Sequence, residues 1–246
     1  MCGRYTATRN PARIADQFEA VDHLGADRPE PDYNVAPTKT VPVIRAERAT
    51  PQRLDSAPAV SREIVPMRWG LIPSWAKDPK FGARTFNARV ETLATAPAFR
   101  TAYRKRRCIV PADGWYEWRK SEHSAAKQAF YMTRTDGLAV SFAGLWEIWQ
   151  HGDQRFRSFT IITTDAQGQL ADVHTRMPFL LRAADYESWL DTTAEQPEEI
   201  EKILLSPDLE LADSLELRPV GAAVGKVANN SPALLDRSDP DDGVLF

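Results

Sequence analysis

Cysteine is nearly absent from this chain: Cys2 and Cys108 are the only two in 246 residues. Two thiols cannot build a disulfide framework, and so few fit a reducing compartment. Histidine is scarce too. His23, His123, His151 and His174 lie far apart, without the short spacings of a metal site, so no metal and no cofactor is expected. Long hydrophobic runs are also missing. The longest, such as residues 139–146, break well short of the ~20 apolar residues a membrane helix needs, so no membrane partner is expected. No basic-apolar leader is visible either, and a cytoplasmic protein is expected.

What is present is ordinary in amount and uneven in place. Hydrophobic residues make up 43% and charged residues 26%, which suits one globular domain with a real core. The net charge of −3 hides an asymmetry. Between Arg68 and Lys120 there are twelve Lys/Arg against only Asp78, Glu91, Asp113 and Glu117, a net of +8. Acidic residues gather instead in 191–216 and around Asp239, Asp241 and Asp242. A basic run is most often a solvated face. This one also carries Trp69, Trp75, Trp115 and Trp118, and basic residues interleaved with aromatics suit single-stranded nucleic acid.

The start Met1-Cys2-Gly3-Arg4-Tyr5 offers a specific chemistry. Removal of Met1, normal before a residue as small as cysteine, would leave a thiol and an α-amine on neighbouring carbons of Cys2. Their unperturbed pKa values are about 8.5 and about 7.7–8.0, so a useful fraction of each is nucleophilic near neutrality. Such a pair can close a five-membered thiazolidine on an aldehyde, the amine forming a Schiff base before the thiol adds. The plainer reading is a frayed terminus that happens to hold a cysteine.

Along the chain, Asn10-Pro11 reads as the cap and first residue of a helix whose buried face is Ile14, Phe18 and Val21. Strands are expected at the N-terminus and at 40–45, 63–70, 107–111, 115–119, 129–133, 138–148, 156–163, 173–181 and 215–220. The turns Asp113-Gly114, Asp136-Gly137 and Gly152-Asp153 separate several of them. Helices are expected from residue 86 to 92, then over 97–105, 184–190 and 197–205. Residues 46–62 read as a charged hairpin-like connection, and 228–246 as a loosely held tail. Strands joined by tight turns, with helices grouped, give an α+β fold. The expected division is one domain over 1–225 followed by a tail over 226–246.

Six stretches stand out together: Met1–Tyr5, Tyr33-Asn34-Val35-Ala36-Pro37, Trp69-Gly70-Leu71-Ile72-Pro73, Asn87-Ala88-Arg89-Val90-Glu91-Thr92, Asp113-Gly114-Trp115-Tyr116-Glu117-Trp118 and His174-Thr175-Arg176-Met177-Pro178. In that order they resemble the SRAP family, the abasic-site processing proteins also labelled SOS-response-associated peptidases. The resemblance implies a single domain of mostly antiparallel strands forming an open barrel-like sheet with flanking helices. It implies a monomer that meets abasic sites in single-stranded DNA during the DNA damage response, at the nucleoid when bound.

Residue roles follow from the same resemblance. Cys2 is implied as the nucleophile that captures the ring-opened sugar. Asn87 is implied to hold the N-terminal residue, Glu117 to move protons at the amine, and His174 to serve the sugar hydroxyl or the thiol proton. Arg4, Arg89 and Arg176 are implied phosphate ligands, with Arg84 and Trp75 completing the DNA surface. The peptidase (hydrolase) label implies self-removal of Met1, and the imine route implies a lyase-type side reaction. One departure is Ala76, where family members often carry a second aromatic after the tryptophan, which implies a smaller stacking surface.

Plainer readings exist for each residue. Asn87 can cap a helix, His174 can be a satisfied structural histidine, and a Glu between aromatics often faces solvent. Here Trp115, Glu117 and Arg119 share a strand face, which fits a lined groove. Cys108 reads as a buried strand residue, and His23, His123 and His151 as loop residues without a role. Two other functions compete. One is an N-terminal-nucleophile amidohydrolase, since glutaminase domains also begin Met-Cys-Gly, though Arg4 replaces their usual aliphatic residue. The other is a noncatalytic single-strand-binding module, which has no need of Cys2.

Overall fold

The structure is a computed structural model that describes residues 2–46, 61–120, 127–192 and 197–238. Residues 47–60 of the expected connection over 46–62, His123, Met1 and the acidic end 239–246 lie outside the described residues.

The N-terminal part comprises β1 (Arg4–Ala7), α1 (Pro11–Phe18), β2 (Ala20–Asp22), β3 (Asp32–Val35), β4 (Thr40–Ala46) and β5 (Arg62–Trp69). Next come β6 (Asn87–Arg89), α2 (Arg100–Lys105), β7 (Arg107–Ala112), β8 (Gly114–Lys120) and β9 (Lys127–Thr133). The long hairpin β10 (Val140–His151) and β11 (Gln154–Asp165) precedes β12 (Arg176–Pro178). The chain then forms α3 (Tyr186–Leu190), α4 (Pro197–Leu204), α5 (Leu209–Ser214) and β13 (Glu216–Val220).

Local chemistry accounts for the best-defined pieces. Helix α1 starts where Asn10 Oδ1 accepts the Ala12 amide at 2.9 Å and Pro11 supplies a preset φ. The β10–β11 hairpin reverses at Gly152-Asp153, where Gly152 has φ +57°, and keeps register from His151↔Gln154 to Gly144↔Ile161.

Two sheets result. One has the order β13-β9-β8-β1-β3, the other β12-β11-β10-β7-β4-β5-β2 with β6 beside β11. Strand β11 also meets β5 in parallel at Ser158↔Arg68 and Phe159↔Trp69, closing a barrel-like ring through β10, β7 and β4. The fold is α+β with mostly antiparallel pairing.

Alternation along single strands sends neighbours into two different cores. Val43, Val65 and Val110 join Cys2, Tyr5, Trp69, Trp115 and Phe142, whereas Ile44, Ile64 and Ile109 join Ile14, Phe18 and Trp189 beneath the helices. The first core lies against the strand that carries the N-terminus. Tyr5 packs edge-on to Trp69 at 5.1 Å between ring centres, and Trp115 edge-on to Phe142 at 5.6 Å.

Four expectations are corrected. Helix α1 ends at Phe18, so Val21 does not join its buried face and lies exposed in β2. Residues 87–89 form a strand, with only a 3-10 turn at Val90–Thr92, because pairing with β11 at Ile161↔Asn87 and Thr163↔Arg89 overrides the local helical pattern. Within 173–181 only Arg176–Pro178 is strand. The segment 226–238 is packed rather than loose. Asn230 Oδ1 accepts the Tyr33 amide at 2.8 Å, Arg218 Nη1 donates to the Leu235 carbonyl at 3.0 Å, and Leu234 is buried.

Gly70 shows why its motif needs glycine. It has φ +112°, and a Cβ there would stand 2.4 Å from the Gly82 carbonyl oxygen. That contact folds the loop bearing Trp75 back onto the turn Pro79–Arg84. No helix among the described residues is long and apolar enough to cross a membrane.

Candidate active site

Strand β1 lies between β3 and β8, with Arg4↔Tyr116 and Tyr5↔Trp115 in register. Cys2 lies two residues before this strand, in the interior, where the charge of Glu117 acts on its thiol. Cys2 is fully buried among Tyr5, Trp69 and Trp115. Its carbonyl accepts a hydrogen bond from Asn87 Nδ2 at 2.7 Å. Asn87 reaches it from β6, and Trp69 Nε1 anchors the residue before it by donating to the Phe86 carbonyl at 2.7 Å. The buried Asn87 Oδ1 has no partner among the described residues.

Burial dominates the electrostatics. It pushes the Glu117 carboxyl up to about 7, so the group exchanges its proton near neutral pH. Burial, reinforced by the nearby Glu117 charge, pushes the Cys2 thiol well above its ordinary value. The resting sulfur is therefore a thiol, not a thiolate. Trp115 and Glu117 do face one side of β8, and Arg119 lies over Phe130 at 4.7 Å on the same side.

His174 follows the turn Gly168–Asp172. The Arg176 amide donates to its Nδ1 at 2.9 Å, and the same nitrogen lies 3.2 Å from the Arg176 carbonyl oxygen. Burial lowers its pKa, and the charges of Lys120 and Lys127 act in the same direction, so the ring is neutral at pH 7. His174 stands two residues before Arg176 of β12, which pairs with β11 at Asp165↔Arg176, two residues beyond Thr163↔Arg89.

The arginines separate into two kinds. Arg4 is turned inward: Nη1 donates to Asn34 Oδ1 at 2.8 Å and to the Val224 carbonyl at 2.7 Å, and Nη2 to the Gly225 carbonyl at 3.1 Å. Arg176 is clamped by Glu91 at 2.5 Å, Asp165 at 2.7 Å and the Thr163 carbonyl at 2.6 Å. Arg84 and Arg89 are exposed. Arg84 lies over Phe81 at 5.0 Å, and Trp75, 56% exposed, packs edge-on to that ring at 5.2 Å. Ala76 points inward instead, and its carbonyl accepts from Trp149 Nε1 at 2.6 Å. Position 76 is thus part of the packing beneath the rim.

The structure brings Cys2, Asn87 and Glu117 together and sets Trp75 and Arg84 on a separate outer loop. His151 stacks on Trp149 at 6.0 Å, outside the site. Cys108 is buried, and a Cβ on Gly144 would come within 2.9 Å of its sulfur. Sequence reasoning missed Phe81, which lies under Trp75 but in no motif. It also missed the bonding of Asn34, whose Nδ2 sits 3.0–3.2 Å from the Val224, Lys226 and Asn229 carbonyls. Among the described residues no cluster of His, Cys, Asp and Glu is arranged to hold a metal. What the site offers is a thiol and a carboxyl that titrates near neutrality.

Relatives carry the same chain plan. Abasic site processing protein YoaM of Bacillus subtilis is 35% identical over 237 residues, covering 96% of this chain and 98% of that protein. Abasic site processing protein HMCES of Gallus gallus is 30% identical over 269 residues, covering 96% of this chain and 77% of that protein. The crystal structure of a protein from Bacteroides thetaiotaomicron superposes with a TM-score of 0.80 at 25% identity, covering 96% of this chain and all of that one. The family model described as SOS response associated peptidase (SRAP) matches residues 1–227, and the chain belongs to that family.

Proposed function

We propose that this protein processes abasic sites in single-stranded DNA by covalent capture on Cys2. The observation that carries the reading is the convergence of buried Cys2, Asn87 on its carbonyl and Glu117 beside it, with the carboxyl pushed up to about 7. The relatives' names point to abasic sites.

The chemistry starts once Met1 is removed. The α-amine of Cys2 attacks C1′ of the ring-opened sugar, and the carbinolamine loses water to give an imine. The thiol then adds across the C=N bond, sulfur to carbon and its proton to nitrogen, closing the thiazolidine. The overall change is loss of one water. Because burial keeps the sulfur protonated, the amine leads and the thiol follows. Glu117, near its own midpoint at neutral pH, delivers a proton to the departing hydroxyl, regains one from the nitrogen as the imine forms, and then relays the thiol proton to that nitrogen. Asn87 fixes the Cys2 peptide so that both nucleophiles meet one carbon. His174, as a neutral donor, faces the sugar hydroxyl.

The test is intact-mass analysis of the protein with abasic single-stranded DNA. The expected product is protein lacking Met1 joined to DNA, lighter than the sum by one water. Cys2→Ser keeps the amine, so borohydride should trap an imine while the heat-stable adduct disappears. A Cys2→Ser protein that crosslinks as stably as wild type without reductant would sink the thiazolidine route.

A further inference from the structure

Away from Cys2, the start of β11 and the end of β5 enclose an open cleft of about 570 Å³. Four arginines, Arg28, Arg68, Arg155 and Arg157, line it with Phe156, and no carboxylate among the described residues does. Arg28 pairs with Asp22 at 2.8 Å. The other three have no ion pair among the described residues, and Arg155 and Arg157 are exposed. Arg68 lies over Phe156 at 5.8 Å, and its buried Nε has no hydrogen-bond partner among the described residues. In a chain of net charge −3, such a concentration of uncompensated guanidinium calls for an anion.

The cleft is joined physically to the rim of the candidate active site. Phe156 stacks on Trp149 and packs against the cluster it forms with Ile72 and Ala76, and Phe81, which touches Trp75 and Arg84, packs against the same cluster. Along β11, Arg157 stands four residues before Ile161, the partner of Asn87. At ~3.3 Å per residue that is about 13 Å of strand. A polyanion lying over Trp75 and Arg84 thus has a continuous strip leading to the cleft.

We propose that this arginine cleft binds the phosphate backbone of the undamaged DNA flanking the lesion. The proposal rests on the abasic-site reading and extends its DNA footprint beyond the residues around Cys2. A concave cleft lined by guanidinium forks favours a polyanionic backbone over a flat lipid surface.

The experiment compares wild type with Arg155→Ala/Arg157→Ala on two single-stranded oligonucleotides. One is too short to reach from Cys2 to the cleft, the other about 20 nucleotides long. Binding of the long one is measured from ~50 to ~200 mM salt. Loss of two phosphate contacts should make the slope of log affinity against log salt shallower by about 1.4, so wild type loses about sevenfold more affinity across that range. Crosslinking to the short abasic oligonucleotide should be unchanged, which also reports that the variant is folded. Arg157→Gln alone should change the slope by about half as much.

Equal salt slopes for wild type and double variant on the long DNA would overturn the cleft assignment while leaving the capture chemistry intact. A double variant that loses binding to anionic vesicles but not to DNA would overturn it equally. Failure of wild type to crosslink the short abasic oligonucleotide would instead count against the function proposed for Cys2.

Discussion

Arg176 and Arg84 lie within reach of one motif-rich region, yet the protein treats them differently. Arg176 is 10% exposed and held by Glu91, Asp165 and the Thr163 carbonyl. Arg84 is exposed and touches the face of Phe81. The same contrast runs through the whole site. Its inner wall consists of groups with internal partners: Cys2 on Asn87, Arg4 on Asn34, and Arg176 on two carboxylates. Its outer rim presents Trp75, Arg84 and Arg89 to solvent. A guanidinium already satisfied inside the protein organises the fold, whereas one without partners is available to a ligand. Inner-wall changes should therefore alter chemistry or stability, and rim changes should alter affinity alone.

The largest effect is expected on the inner wall, at Glu117. Replacement by Gln removes the proton-transfer group, and crosslinking should slow by about 10²–10⁴-fold. It should also remove a pH dependence of stability. The folded-state pKa is about 7 against an ordinary 4.5, so the folded protein binds this proton more tightly than the unfolded chain does. Stability from this group is complete at low pH and declines as pH rises through about 7. Urea unfolding at about pH 5 and pH 8 checks the sign: the wild type should lose more stability than Glu117→Gln. Identical pH dependence in both proteins would place Glu117 in contact with water and break the contrast.

Arg176→Ala comes next, with an expected cost of about 2–3 kcal/mol. Most of that comes from the lost bond to the Thr163 carbonyl and lost packing, because Glu91 and Asp165 are 49% and 79% exposed and can be rehydrated. The Glu91 carboxyl, lowered chiefly by its hydrogen bond from Arg176, should return toward its ordinary pKa. A variant of unchanged urea midpoint but weakened DNA binding would assign Arg176 to the rim instead.

How far the sequence foretold this arrangement depends on the kind of signal. The cap and proline at Asn10-Pro11 and the turn at Gly152-Asp153 act within a few residues, and both are where local chemistry puts them. The Asn87 stretch was legible as a motif but not as a strand. Its backbone pairs with β11, more than seventy residues on, and no local pattern encodes that partner. The packed segment 226–238 escaped for the same reason, since Asn34 and Tyr33 hold it from the other end of the chain. Motif resemblance suggested that Cys2, Asn87 and Glu117 belong together. The bonds that turn Arg4 and Arg176 inward could not be read, because a guanidinium's partner is a matter of tertiary geometry.

On the rim, Trp75→Ala should weaken single-strand binding by about 1–3 kcal/mol, the usual worth of one stacked base, and move the urea midpoint little. The indole is 56% exposed, and its one hydrogen bond, to the Pro97 carbonyl, is long at 3.4 Å. An unfolded Trp75→Ala protein would mean that the rim is as structural as the wall.

The smallest and sharpest effect is expected at Arg84. Its guanidinium lies over Phe81, which in turn supports Trp75, so the side chain can act by charge, by packing, or by both. Arg84→Ala removes both and should make the salt slope of single-strand binding shallower by about 0.7, one phosphate contact. Arg84→Lys separates the two roles. An ammonium restores the charge and hence the slope, but it lacks the plane that covers the ring. If charge is the main role, the lysine protein should follow wild type in its salt dependence and retain most of its affinity. If lysine is no better than alanine, Arg84 acts through Phe81 on the placement of Trp75. It would then belong with Arg4 and Arg176 as a residue that works through the fold.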